Sequence, residues 1–256
     1  MVIDLQHHHE IISSGSRVIY QVIVILAMLT GSWFIRKDSS RWALPPFQYY
    51  SLLAIAFIGA LAGSAIPAFF SGGLVEGLAW STPITPKTVM GGILASFIFV
   101  SIYKRITKNH LDTSDGFARG AIAMMAIGRI GCIFQHCCYG KEASWGLDFG
   151  DGLSRIPIQY FEAIGLFGIF YFIQHIHEKN LFAGRRLFIV FALYGCLRFV
   201  LEFGREQIAN IYLGIGFYQW IALLILATGI WQIMYRSFIH PSHSTASSHQ
   251  PAIHST

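Results

Sequence analysis

The sequence predicts an all-α, polytopic membrane protein with about seven transmembrane helices, its N-terminus outside and its C-terminus cytoplasmic. Three observations predict it. Of 256 residues, 54% are apolar and only 12% charged, and the mean hydropathy is +0.53, too apolar for a soluble domain of this length. The apolar residues collect in runs near bilayer length, about 20 residues for a hydrocarbon core of roughly 30 Å. The basic residues, finally, alternate in density from one connecting loop to the next.

Residues 1–16 form a polar N-terminal segment without the basic flank or small-residue cleavage site of a signal peptide. Its His7-His8-His9 run is a tag remnant or a native tail. The membrane domain is expected over 17–236, with apolar runs near 17–35, 50–70, 88–103, 117–138, 158–175, 186–203 and 214–235. Arg36, Lys37 and Arg41 follow the first run, Lys104, Arg105, Lys108 and Arg119 the third, and Lys179, Arg185 and Arg186 the fifth. The intervening loops carry Lys87, then Lys141 and Arg155, then Arg205. By the positive-inside rule the basic loops are cytoplasmic. The net charge of +5 is therefore a matter of topology, and no nucleic-acid partner is expected. In the outer loop 71–87, Trp80 is expected to anchor at the interface. The Gly- and Asp-containing stretch 141–157 is expected to form turns, and the Ser- and His-rich 237–256 a disordered cytoplasmic tail.

This topology assigns a depth to each polar residue. The fourth run travels outward, so Arg129 through Gly140 lie in its outer half; the fifth travels inward, so Gln159 and Glu162 lie at the same level. The sixth brings Tyr194, Arg198, Glu202 and Arg205 there, spaced four, four and three and hence on one helical face. Gly91 and Gly92 at the start of the third run share that depth.

An arginine in hydrocarbon costs roughly 2.5–3.5 kcal/mol, so Arg129 and Arg198 are expected to face a polar cavity or a bound anion. Guanidinium groups grip phosphate oxygens bidentately and stay charged in a low dielectric. Within a bilayer, phosphate means chiefly a phospholipid headgroup, which points to a lipid-modifying enzyme or lipid carrier. Cys132, Cys137 and Cys138 with His136 offer a rival chemistry, a metal site or a thiol-redox pair. On a continuous helix Cys132 and His136 share a face while Cys137 and Cys138 are each turned by about 100°, so no metal site is expected unless the helix ends within the motif. Cys196 is expected to be a buried, inert cysteine.

Three segments carry a resemblance: Gly128-Arg129-Ile130-Gly131 leading to Tyr139-Gly140, Pro157-Ile158-Gln159-Tyr160-Phe161-Glu162, and Tyr194-Gly195-Cys196-Leu197-Arg198-Phe199-Val200-Leu201-Glu202-Phe203-Gly204-Arg205. In this order they resemble the motifs of the prolipoprotein diacylglyceryl transferases, over roughly 17–235. The resemblance implies a bacterial inner-membrane enzyme, active at the outer face, without a cofactor. It would transfer the diacylglyceryl group of phosphatidylglycerol to the lipobox cysteine thiol of a preprolipoprotein signal peptide and release glycerol 1-phosphate. Arg129 and Arg198 would hold the phosphate, with Tyr194, Glu202 and Arg205 orienting and balancing them. Gly140 would allow close approach at the pocket mouth, and Gln159 and Glu162 would support the site; Gly91 and Gly92 would line it. The chain departs from the family pattern at Met90, where a histidine is expected, at Cys132, where an asparagine is expected, and at Cys137, often acidic. His136 is the candidate to replace the missing base. The alternative is a lipid-transferring or phospholipid-binding paralogue with another acceptor, or a thiol-redox or metal-handling membrane protein using Cys132, Cys137 and Cys138.

Overall fold

The computed structural model describes residues 2–39, 45–68, 88–109, 112–149, 152–205, 211–212 and 214–239. Loop 71–87 with Trp80, and the tail beyond residue 239, lie outside the described residues. Seven helices follow one another among the described residues: α1 (Val2–Ser39), α2 (Pro46–Ala68), α3 (Val89–Ile106), α4 (Ser114–Phe134), α5 (Ile158–Glu178), α6 (Arg186–Glu202) and α7 (Phe217–Ile239). Each corresponds to one predicted apolar run. Five of them, α1, α2, α3, α4 and α7, are long and apolar enough to cross a membrane. α6 has only 17 residues, and α5 carries Gln159, Glu162, Gln174, His175 and His177 along its 21 residues.

The helices pack as α1 on α4, α2 on α3 and α6 on α7, with α4, α5 and α6 in mutual contact at the centre. Their shared core contains Ile122 and Ala126 of α4, Leu166 and Ile173 of α5, Phe188 and Tyr194 of α6 and Ile225 of α7. α3 joins through Phe97, whose ring meets Phe188 and Phe191 edge-on, both at 5.7 Å. Large apolar side chains face outward instead of inward, among them Leu29, Ile164, Tyr171 and Trp231, as expected where lipid is the solvent. Lipid removes the hydrophobic drive between helices, so close backbone approach at small residues supplies the packing. At the α1–α4 crossing a Cβ on Gly120 would stand 2.6 Å from the Gly31 carbonyl oxygen, so both positions admit little but glycine.

α1 begins at Val2, so residues 2–16 continue into the first apolar run as one helix. Two expectations change. Helix four ends at Phe134, four residues before the predicted boundary. The stretch expected to be turns contains a ribbon, β1 (Glu142–Asp148) paired antiparallel with β2 (Ser154–Arg155), with a register irregularity between Glu142 and Leu147. Alternation of Trp145, Leu147 and polar residues lets the ribbon form, and Gly152 at φ 76 makes its turn. A second small pair, β3 (Ile211–Tyr212) and β4 (Ile215–Gly216), precedes α7.

A polar network ties the ends of the helices opposite the Arg129 end. Arg119 of α4 forks onto both carboxylate oxygens of Asp38 in α1 and donates to Gln174 of α5 at 2.8 Å. Asp115 accepts from the backbone N–H of Gly184 and Arg186 at 2.6 and 3.0 Å, and Arg236 of α7 pairs with Asp112 while donating to the Gly184 carbonyl at 2.7 Å. Arg119, assigned above to a loop, is thus a buried residue of α4.

Candidate active site

The antiparallel order of α4, α5 and α6 places the C-terminus of α4, the N-terminus of α5 and the C-terminus of α6 at one end of the bundle. Pro157 precedes α5 as its N-cap, a position where its missing N–H leaves nothing unsatisfied. The chain between α4 and α5 is then stitched down. Gly140 N–H donates to the Ile156 carbonyl at 2.8 Å, Ile156 N–H to Lys141 at 3.0 Å, and Lys141 N–H to Gly204 beyond α6 at 2.9 Å. Gly140 is needed for this seam, because a Cβ there would meet the Gly204 carbonyl oxygen and stand 2.8 Å from Ile158 Cγ1.

Under this seam lies a cluster of three arginines and two glutamates. Glu162 of α5 is its hub: it accepts from Arg129 Nη2 at 2.5 Å, Arg198 Nη1 at 2.9 Å and Arg205 Nη2 at 3.3 Å. Glu202 accepts from Arg198 Nη2 at 3.0 Å, one helical turn away, and lies 3.9 Å from Arg205 Nε. The Glu162 side chain is 1% exposed and that of Arg198 5%, so these are charges taken out of solvent, tolerable only when paired. Three guanidinium groups against two carboxylates leave one positive charge uncompensated within the cluster. Arg205, just beyond α6, registers the crowding. Burial and the neighbouring Arg198 charge hold its guanidinium below its ordinary value, against the pull of Glu162.

Hydrogen-bonding capacity is left over as well. Among the described residues, Arg198 Nε, Arg205 Nε and both amide atoms of Gln159 are buried without a partner. Gln159 is fully buried, one helical turn before Glu162. Buried polar groups in folded proteins are nearly always satisfied, so several orphans beside a surplus cation single this cluster out as the candidate site.

The structure therefore brings Arg129, Glu162, Arg198, Glu202 and Arg205 together, as their common depth and spacing predicted. Tyr194 is buried one turn before Arg198. What the sequence missed is that Glu162 is the shared counter-ion; only its position three residues after Gln159 signalled a common face. Gly92 has a packing explanation, since a Cβ there would stand 3.1 Å from the Ala60 carbonyl oxygen of α2, and the Gly91 carbonyl oxygen is what a Cβ on Gly63 would strike.

His136 does not share a helical face with Cys132. α4 closes in a Schellman motif, with His136 N–H on the Ile133 carbonyl and Cys137 N–H on the Cys132 carbonyl, each at 3.2 Å. His136 takes the left-handed position at φ 51, where glycine is usual; it is exposed, its ring edge-on to Phe149 at 6.3 Å. The spacing argument that separated the three thiols fails for the same reason, since the helix has ended, and Cys132, Cys137 and Cys138 hold their sulfurs within 4.8 Å of one another. Cys196, expected to be buried, is exposed on α6.

The sequence model of the prolipoprotein diacylglyceryl transferases matches residues 12–235. A phosphatidylglycerol–prolipoprotein diacylglyceryl transferase of Streptococcus agalactiae serotype Ia is 27% identical over 238 residues, covering 85% of this chain and 90% of the relative. The protein of that name from Dehalococcoides mccartyi strain 195 is 28% identical over 235 residues, 88% of this chain and 81% of the relative. That from Wolbachia pipientis of Culex pipiens is 24% identical over 231 residues, 82% and 87%. With five helices of membrane-spanning length, the match across nearly the whole chain leads to one conclusion: the protein belongs to the prolipoprotein diacylglyceryl transferase family, whose members act in lipoprotein maturation.

Proposed function

We propose that this chain transfers the diacylglyceryl group of phosphatidylglycerol to the lipobox cysteine thiol of a preprolipoprotein and releases glycerol 1-phosphate. The reaction would run at the outer face of the bacterial inner membrane, in a bundle that spans it seven times with the N-terminus outside. The observation that carries the reading is the Glu162-centred cluster, with its surplus positive charge and its unpartnered buried donors.

The chemistry follows from where charge develops. A thiolate attacks the glyceryl carbon that bears the phosphate ester; a carbon–sulfur bond forms and a carbon–oxygen bond breaks, its electron pair staying on the phosphate oxygen. Arg129 and Arg198 hold the phosphate and stabilise that charge, since preorganised donors act most strongly where water is excluded. Glu162 and Glu202 fix the guanidinium planes, and Tyr194 packs beside Arg198. Gln159 offers its free amide to the headgroup, Arg205 adds charge from beyond α6, and Gly140 keeps the seam over the site thin. Gly92 lets α3 approach α2 closely, and with Gly91 it would line the lipid's path. His136, exposed after α4, is the candidate to take the acceptor thiol's proton, since an imidazole within reach of a thiol can act as a general base.

The test is complementation in bacteria depleted of their own transferase. The chain should restore lipoprotein processing, while Arg129→Ala and Arg198→Ala, expressed at equal level, should not. Binding of phosphatidylglycerol by the purified chain with no restored processing would instead favour a phospholipid-binding paralogue, and restoration by both arginine variants would overturn the phosphate clamp.

A further inference from the structure

The proposed transfer reaction assigns Cys132, Cys137 and Cys138 no role, yet the backbone gathers them. The bond from Cys137 N–H to the Cys132 carbonyl folds the chain back over the last turn of α4. His136 at φ 51 and Cys138 at φ 66 both take a backbone conformation that side chains bearing a β-carbon rarely adopt. The result is a triangle of free thiols, every sulfur within 4.8 Å of the others and Cys137 and Cys138 at 3.6 Å. A disulfide would use two of them. Three converging sulfurs match one face of a coordination tetrahedron, for which a Zn–S bond of about 2.3 Å requires sulfurs roughly 3.8 Å apart.

The electrostatic setting agrees. A divalent ion on three thiolates carries one net negative charge, and Arg129 Nη1 stands 3.5 Å from Cys132 Sγ as a donor. The site would thus abut the arginine cluster and its surplus positive charge, and an N–H donor to a ligating sulfur is the kind of outer contact that orients and stabilises metal thiolates.

We propose that Cys132, Cys137 and Cys138 form a three-thiolate site for a thiophilic d10 cation of the zinc class, with its fourth coordination position open, at the edge of the Arg129 cluster. Three protein ligands and one exchangeable position are the pattern of zinc sites that accept a further ligand. Thiolate and imidazole ligands suit zinc where carboxylates and carbonyls suit magnesium or calcium. The proposal does not depend on the transferase reading, and its test reads metal binding directly.

The full chain, reduced and purified in micelles, is titrated with Co2+ under nitrogen. One equivalent should produce intense sulfur-to-cobalt charge transfer with the visible bands of tetrahedral cobalt, and Zn2+ should abolish both. Cobalt held by the histidines of the termini gives no thiolate band. Cys132→Ser, Cys137→Ser and Cys138→Ser should each weaken binding at least tenfold, while Cys196→Ser leaves it unchanged. A second measurement covers any variant that fails to fold: Zn2+ should protect three of the four cysteines from alkylation, read by mass spectrometry. No thiolate band, a band that survives in Cys138→Ser, protection of fewer than three thiols, or a Cys137–Cys138 disulfide that persists under reductant would each overturn the proposal.

Discussion

Replacing Glu162 by glutamine removes one negative charge and turns one of its two acceptor oxygens into an amide donor, so the hydrogen bonds at 2.5, 2.9 and 3.3 Å cannot all be kept, while the side chain's size is unchanged. The three arginines are left with Glu202 alone, so the uncompensated charge of the cluster rises from one to two. Two unit charges about 4 Å apart interact by about 4 kcal/mol at an effective dielectric constant near 20, and removing one partner of a buried ion pair costs roughly 3–5 kcal/mol. For a chain of this size each kcal/mol moves the midpoint by about 2–4 °C, so Glu162→Gln should unfold roughly 6–20 °C below its parent. An anionic headgroup supplies the missing charge. Phosphatidylglycerol in the micelle should therefore raise the midpoint of Glu162→Gln more than that of the parent, by up to about 2.7 kcal/mol at a hundredfold excess over Kd. Phosphatidylcholine should raise neither selectively. The assay is thermal unfolding in micelles doped with each lipid in turn. A midpoint within about 2 °C of the parent, or equal responses of variant and parent to the anionic lipid, would refute the account of Glu162 as hub of an anion site.

Gly140→Ala should lose stability by about 1–3 kcal/mol through forced displacement of the seam, and processing activity with it, because the added methyl meets the Gly204 carbonyl and Ile158; thermal unfolding and complementation together check this. Arg119→Ala, at the opposite end, should cost roughly 3–5 kcal/mol by stranding the buried Asp38, yet leave the affinity of the folded protein for phosphatidylglycerol unchanged, measured by lipid titration below the unfolding midpoint. His136→Gly separates two roles of one residue: relief of the left-handed backbone at φ 51 should stabilise the chain by about 0.5–1 kcal/mol, while loss of the imidazole should abolish processing if His136 is the base. A variant that is stabilised and fully active removes His136 from the chemistry.

Hydropathy sufficed to delimit seven helices among the described residues, five of them long and apolar enough to cross a membrane, because a bilayer selects apolar runs of one length. The placement of Arg129, Glu162, Arg198, Glu202 and Arg205 at a common level followed from the same constraint, since antiparallel helices of fixed length carry sequence position into depth. Helical spacing likewise put Arg198 and Glu202 on one face of α6, although the helix ends before Arg205. Depth and face, however, do not specify partners. That Glu162 serves three arginines at once, or that Arg119 lies buried against Asp38 instead of in a loop, depends on rotation of α4 and α5 about their axes, which is set by packing between distant segments.

The Cys132–Cys138 stretch shows most clearly where local sequence ceases to decide. Four-residue spacing assigned Cys132 and His136 to one helical face, and continuous rotation scattered the other thiols. Both inferences required the helix to continue, whereas the Tyr139–Lys141 chain must turn to meet Ile156 and Gly204. Those contacts, made across more than sixty intervening residues in the case of Gly204, end α4 at Phe134 and force left-handed backbone on a histidine and a cysteine. Composition and periodicity were enough for a helical bundle with membrane-length spans and for gathering these arginines at one end of it. The tertiary structure alone decided which carboxylate unites them and that three cysteines meet beside them, because both rest on contacts between segments whose separation along the chain carries no periodic signal.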